Sequence, residues 1–428
     1  MKLLTSLRTA SAPRAAIFAV GLTLFYFSST GGQEAGLIGY HGWSPAIVAD
    51  ALRPMYAFSY AVASALAAWE SGRLREAAVW HLAPVRSRYR IAANVLLPVL
   101  ALAWFMLVLS VALRLIQEGA SPTLDSMRPL LLGMLLCVAH AVIGFAIGMR
   151  VPKLIAAPAV AVMTWVLVAF SVTSTQFWYR HVSGERMDSL AFGEIVPLSS
   201  LVPHLLFAGS IAAGVLLLWM PIRYVAIRVC LAATLAFVGM STAREMVAHW
   251  GPHEPFLSGQ ATMQCAGKAP TVCMPEISAG SLPAVREQVD SVLTEFQAAG
   301  VKATPDSVTD ALADGRRSVR STPSTWRVNL TRGVEDGNVR YQVVTTAVGF
   351  SCSTPDPKMR REALLWAATI TGEDRAYAKQ WDNSAEDFDV KAANRNQVHA
   401  DVKKVLTLSA PKQADWFTRT VLSACERA

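Results

Sequence analysis

Seven stretches of this chain are apolar for close to the length a helix needs to cross a lipid hydrocarbon layer, about 20 residues. They fall at 14–30, 48–69, 93–116, 129–149, 154–174, 204–220 and 224–243. In lipid, every backbone polar group must be satisfied within its own segment, so runs of this kind form helices. The expectation is a mainly α, polytopic membrane bundle of about seven spans. Charge content agrees: 53% of the 428 residues are hydrophobic and 16% are charged, against about 25% charged in soluble domains. The second run is the least regular, because Asp50, Arg53 and Pro54 occupy its first turns and its solid part runs from Met55 to Trp69. Either Asp50 and Arg53 pair at the interface, or the chain before Pro54 is a separate interfacial helix.

The cations set an orientation. With the N-terminus inside, the inner loops hold Arg73, Arg75, Arg86, Arg88 and Arg90, then Arg150 and Lys153, then Arg223 and Arg228. The outer segments 31–47 and 118–128 carry Glu34, Glu118, Asp125 and Arg128. Short cytoplasmic loops are the ones enriched in Lys and Arg. The formal charge of +8 therefore belongs to topology, and nucleic acid is not an expected partner. The basic start Met1–Arg14 followed by an apolar run looks like a secretory signal, but more apolar runs follow, so 15–29 reads as a span. Leu3, Leu4 and Leu7 opposite Lys2 and Arg8 suit a short helix lying on the inner surface. Seven spans put everything after them outside the cytoplasm, on the far face of the bilayer.

That remainder, 251–428, reads as a separate, small, helix-rich α+β domain joined to the 1–250 membrane region by the Pro- and Gly-rich run 251–255. Cys265, Cys273, Cys352 and Cys425 all lie in it. An oxidising compartment would turn four such cysteines into two bridges. Three pairings are possible, of which 265–273 with 352–425 is the simplest, and the CxxC spacing of zinc ribbons is absent. Val285, Val289, Val292, Leu293 and Phe296 recur at helical spacing and stop at Gly300, which suits a C-cap. Asp306 and Ser307 after Pro305 suggest the start of a short helix. Trp326–Leu330 and Tyr341–Phe350, rich in β-branched and aromatic residues, suggest a hairpin across the turn 335–338. From about Pro357 the chain reads as helical.

Phosphate-binding, zinc-peptidase and hydrolase-elbow motifs are absent, so the chain is not expected to be an enzyme, and neither a cofactor nor a metal is expected. His249, His253 and Glu254 form a loose cluster at the membrane exit, with metal ligation the weaker reading. His140 and His204 suit bundle-interior or interface positions. Phe177, Trp178 and Tyr179 suit an interfacial aromatic belt or, more sharply, an aromatic-lined outer gate. Asp374, Glu386, Asp387 and Asp389 are carboxylate-rich, as solvated faces commonly are.

The most informative loop joins the second and third runs. In it Leu74, Ala77, Ala78 and His81 or Leu82 share one helical face, charges flank both ends, and Pro84 breaks the pattern. Glu70 and Glu76 have no topological reason to be there, whereas docking to a protein supplies one. Glu70–Ser71–Gly72–Arg73–Leu74 followed by Pro84–Val85–Arg86–Ser87 resembles the second-to-third span loop of ABC-2 type exporter permeases. The resemblance extends more weakly over residues 1–220 and does not cover the seventh run or the C-terminal domain. It implies that 70–90, with Glu70, Arg73, Leu74, Arg75, Glu76, His81, Pro84 and Arg86, contains a coupling helix seated in a cytoplasmic ABC ATPase subunit. It also implies a second permease copy, or a homologous permease, beside this one in the lipid bilayer. The rival reading is a membrane-anchored sensor or scaffold whose outer domain binds a ligand or protein.

Overall fold

The computed structural model describes residues 10–30, 41–81, 87–186, 188–220, 223–317, 319–352, 354–382 and 388–426. The N-terminal amphipathic segment expected around Lys2–Arg8 lies outside them. The chain divides into two compact units, Met1–Ser258 and Gly259–Ala428.

The first unit is a helical bundle of α1 (Ala12–Thr30), α2 (Ser44–Leu52), α3 (Met55–Glu76), α4 (Arg88–Gln117), α5 (Leu124–Gly148), α6 (Lys153–Ala169), the single turn α7 (Phe177–Arg180), α8 (Leu198–Leu217) and α9 (Val225–Val247). Among the described residues, six helices are long and apolar enough to cross a membrane: α1, α4, α5, α6 with its continuation to Thr173, α8 and α9. The run at 48–69 is not one helix. It breaks at Arg53–Pro54, where Asp50 pairs with Arg53 at 3.8 Å, because proline cannot donate into the helix that precedes it. The chain before it, α2, is buried along its whole length.

The helix after the break, α3, is less apolar than the other six and yet the most central. It packs against α1, α4, α5 and α6. Its buried face carries Ala57, Ser59, Ala61, Ser64, Ala67, Ala68, Ser71 and Gly72. Lipid tails are as apolar as leucine, so burial alone cannot drive helices together in a bilayer; close backbone approach between small residues can. Gly144 and Gly148, one turn apart on α5, supply the matching surface: a Cβ at Gly144 would overlap the carbonyl of Ser64, and one at Gly148 the carbonyl of Ala68. Ser64 Oγ and Thr164 Oγ1, 3.2 Å apart, join α3 to α6. The α8–α9 contact repeats the device, since Gly239 meets Ser210, and Gly214 meets the Ala232 carbonyl. By contrast α9 packs chiefly on α8 and leaves Val225, Ile227, Val229, Leu231, Phe237 and Val238 exposed.

The second unit holds a four-stranded sheet, β1 (Met263–Ala266), β2 (Thr271–Pro275), β3 (Ser307–Asp310) and β4 (Thr325–Val328), in that spatial order. β1 and β2 are antiparallel, β2–β3 and β3–β4 parallel. Between β2 and β3 runs α10 (Leu282–Ala298), the helix expected from its apolar spacing. It ends before Gly300, whose φ of +84° suits only glycine without strain. The helices α11 (Leu330–Glu335), α12 (Val339–Ala347), α13 (Pro357–Ile370), α14 (Asp374–Asp382), α15 (Phe388–Leu406) and α16 (Ala410–Glu426) complete it. Two expectations fail. Ser307–Asp310 is a central strand, not a helix start, because Val308 and Asp310 alternate inward between two parallel neighbours. Asp310 then ends the strand by accepting from the backbone N–H groups of Leu312, Leu330 and Thr331 and from the Thr331 hydroxyl; burial nonetheless raises its pKa. Tyr341–Phe350 is not a hairpin arm. Val339, Val343, Val344 and Val348 return at helical spacing and are buried, so the period prevails over β-branched residue type. Only Thr325–Val328 of the expected hairpin is a strand.

Both disulfides join the simplest pairs. Cys265–Cys273 links facing residues of β1 and β2, and Cys352–Cys425 ties the segment before α13 to the end of α16.

Two outcomes follow. Gly144→Val with Gly148→Val should destabilise the first unit by about 3 kcal/mol or more, since backbone rather than a side chain must yield, read as a lowered thermal midpoint in detergent. For the second unit, chain-entropy loss scales with loop length: replacing Cys352 and Cys425 by Ser, across a separation of 73, should cost about 4 kcal/mol, and replacing Cys265 and Cys273, across 8, about 2.5 kcal/mol. Denaturant midpoints of the two double variants give the order.

Candidate functional site

The segment expected to dock a partner begins inside α3. No breaking residue precedes Ala77, and Gly72 is retained within the helix where Lys153 crosses it closely. Residues 70–76 are therefore the last two turns of α3 and not a separate helix. Glu70 is buried; its carboxylate accepts from the Ser11 backbone N–H at 2.6 Å and pairs with Arg73 at 3.0 Å, tying α3 to the start of α1. Glu76 pairs with Lys153, which also lies over the Trp69 ring. Leu74 packs on the bundle core, Arg75 is half-buried, and Glu76, Ala77 and Ala78 are exposed. Ala78 has a φ of +51°, which turns the chain out of the helix into the short 3-10 turn Val79–His81. Pro84 and Arg86 lie outside the described residues, as does the side chain of His81.

The aromatic triplet forms α7. Tyr179 donates its hydroxyl to the Leu167 carbonyl at 2.7 Å, Trp178 lies under Arg244, and Phe177 lies under Arg180. Trp178 and Tyr179 pack against Val182, Ala243 and Val247. They cover the end of α9.

What the bundle does build at this end is a buried polar cluster, of which the sequence pointed to Glu254 with His253 and, separately, His204. The chain leaving α9 does not run off as a linker. Residues 251–258 fold back onto the loop 181–196, with two backbone hydrogen bonds between Ile195 and Leu257 (2.9 and 3.0 Å). Glu254 points inward and is 4% exposed. Its carboxylate stands 2.9 Å from the Arg186 guanidinium, 3.5 Å from His204 Nε2 and 4.0 Å from His181 Nδ1. His204 Nδ1 accepts from the Gly184 N–H at 3.0 Å, so its proton sits on Nε2, facing the carboxylate. His181 Nε2 lies 2.9 Å from the Gly251 carbonyl, to which it donates. Asp188 accepts from the Glu254 N–H at 2.9 Å and from His253 Nδ1 at 2.8 Å. His249 instead meets the edge of Trp250, so the expected trio of His249, His253 and Glu254 does not converge. Among the described residues no group of three or more His, Cys, Asp or Glu forms a metal site.

Electrostatics make the cluster asymmetric. Burial alone would raise the pKa of Glu254, but Arg186 and then the two histidines outweigh it and hold the carboxyl well below its ordinary value. Nearby Glu185, buried and only partly relieved by Arg53, is pushed up to about 8. From α3 the cluster receives Tyr60, whose hydroxyl donates to the Gly184 carbonyl at 3.1 Å. Trp43, before α2, donates to the Glu194 carbonyl at 2.8 Å. The loop 181–196 is thus held by α3, α8 and the returning chain together.

Compared with known proteins, the chain matches one family, described as Domain of unknown function (DUF7224), over residues 272–425. The match covers the second unit and stops short of the bundle. No curated protein and no solved structure matches.

Removing one partner of a buried pair strands the other. Glu254→Gln or Arg186→Met should each lower stability by about 3–5 kcal/mol, and the double variant should recover part of that loss, measured by thermal unfolding in detergent. Glu185 works in the opposite sense. Its pKa is raised from 4.5 to about 8, so the folded state holds a proton that the unfolded state releases, and stability falls as pH rises from about 4.5 to about 8. Glu185→Gln should remove that slope, leaving the variant roughly 1 kcal/mol or more stabler than wild type at pH 8 and equal to it near pH 4.5.

Proposed function

We propose that the chain is the membrane-spanning subunit of an ATP-driven assembly of the ABC-2 type. ATP would be hydrolysed by a separate cytoplasmic subunit, and a second copy or a homologous permease would complete the pair in the bilayer. In this reading α1, α3, α4, α5, α6, α8 and α9 are the seven crossings, the N-terminus is cytoplasmic and the second unit is extracytoplasmic. The gathering of Arg73, Arg75, Arg88, Arg90, Arg150 and Lys153 at one end of the bundle supports that orientation. Two disulfides in the second unit support an oxidising surrounding.

The observation that carries the reading is α3. It is one unbroken helix of 22 residues, about 33 Å at 1.5 Å per residue. Its basic end carries the loop that resembles the coupling segment. Its other end holds Tyr60 against Gly184, in the loop that Glu254 locks. Small-residue contacts seat it against its neighbours without slack, so a push near Arg75 is delivered along the rod to the 181–186 loop and to the 251–258 segment. The work done is then a displacement of the chain that leads into the second unit. A sensor would use the same rod in the reverse direction, without an ATPase.

Purification of the full chain from its native membranes in mild detergent tests this. ATP hydrolysis should co-elute with the wild type and fall at least tenfold in Arg75→Glu, whose side chain is half-buried and outside the Glu70–Arg73 and Glu76–Lys153 pairs. An eluate without ATPase activity, or activity unchanged in the variant with the fold intact, would overturn the assignment.

A further inference from the structure

The second unit contains a recess that neither its core nor the proposed coupling uses. Two adjoining hollows, of about 230 and 390 Å3, open between α12, the start of α13 and α14, and they share Tyr341, Pro355, Arg360, Leu364 and Gln380. The smaller one adds Tyr377 and Trp381. Neither has an aspartate or glutamate in its lining.

The floor is rigid. Tyr341, Tyr377 and Trp381 are almost fully buried. Tyr341 donates its hydroxyl to Gln380 Oε1, Tyr377 donates to the Arg361 carbonyl at 3.3 Å, and the Arg361 guanidinium lies 4.5 Å over the Trp381 ring. Burial raises Tyr341 to about 12, so it stays a neutral hydroxyl at any ordinary pH. The mouth is different. Arg360 is exposed and close enough to Tyr341 to act on its ionisation, yet it has no carboxylate partner among the described residues. A guanidinium left unpaired beside aromatic and aliphatic walls is suited to bidentate capture of a carboxylate whose apolar part fills the hollow.

The geometry points to a binding site in the second unit for a small organic carboxylate carrying an aromatic or branched apolar group, such as the C-terminal residue of a peptide. Arg360 takes the carboxylate. Leu364 and the Tyr377–Trp381 face take the apolar group, and the Tyr341–Gln380 pair offers polar contacts between them. The aromatic floor, already ordered by its own hydrogen bonds, loses little freedom when the ligand arrives.

The test uses the full chain in nanodiscs and N-acetyl-4-fluoro-L-phenylalanine as probe, followed by fluorine NMR line broadening, with the corresponding C-terminal amide as control. The carboxylate should broaden on adding wild-type protein and the amide should not. Arg360→Gln, at an exposed position outside the core, should weaken binding about tenfold or more, and Leu364→Trp, which fills the shared hollow, should abolish it. Equal broadening by the amide, unchanged binding in Arg360→Gln or Leu364→Trp, or no broadening at millimolar probe would each overturn the site.

Discussion

The contact between α3 and α5 is the constraint on which the first unit depends. At Gly144 and Gly148 the two backbones come so near that no side chain fits between them. Packing of this kind has to replace the hydrophobic effect where the surrounding medium is itself apolar. It explains why the helix with the most serines and charges sits innermost, while the plainly apolar α9 lies at the margin with its side chains exposed. A central helix made of small residues can be gripped by four neighbours at once. A central helix of leucines would hold them apart.

That grip raises a second demand. The ends of a tightly packed bundle bring backbone and side-chain polar groups together away from water, and each must be answered. At the basic end, separate pairs suffice: Glu70 with Arg73 and the Ser11 amide, Glu76 with Lys153. At the other end one carboxylate faces several partners. Glu254 arrives from beyond α9 to neutralise Arg186, with two histidines turned toward it. A buried ion pair of this sort costs desolvation and adds little net stability over an apolar filling. Here it holds the 251–258 segment against the loop 181–196, together with the Asp188 contacts to Glu254 and His253 and the Ile195–Leu257 backbone pair.

Much of the architecture was legible in the chain. Six of the seven apolar runs correspond to single helices and the run at 48–69 to two, and Gly300 follows the end of α10. The cysteines pair in the simplest way, and the region after Pro357 is helical where described. The errors share one cause, which is judging short segments by residue type. Tyr341–Val348 looks β-rich because valine and threonine dominate it, yet the burial of Val339, Val343, Val344 and Val348 follows a helical period. Ser307–Asp310 follows a proline and an aspartate that suit a helix start, but it lies between β2 and β4, and the ladder on both sides decides. Glu70 stands apart from these: the acidic residue of a basic loop, it pairs within the chain with the Ser11 amide and Arg73.

By itself the sequence determined that the chain must form a bundle of apolar helices followed by a cysteine-bearing unit, since composition and run length dictate which segments can satisfy their backbones in lipid. The tertiary structure alone decided which helix is central, that 251–258 is a lock and not a linker, and that Arg360 is left over at an aromatic recess. Those outcomes depend on which residues meet across about 20 to 80 positions of chain: Gly144 with Ser64, Glu254 with Arg186, Arg360 with Tyr341. Such meetings leave no periodic trace in a sequence, because each is fixed by the packing of elements whose own signals are local.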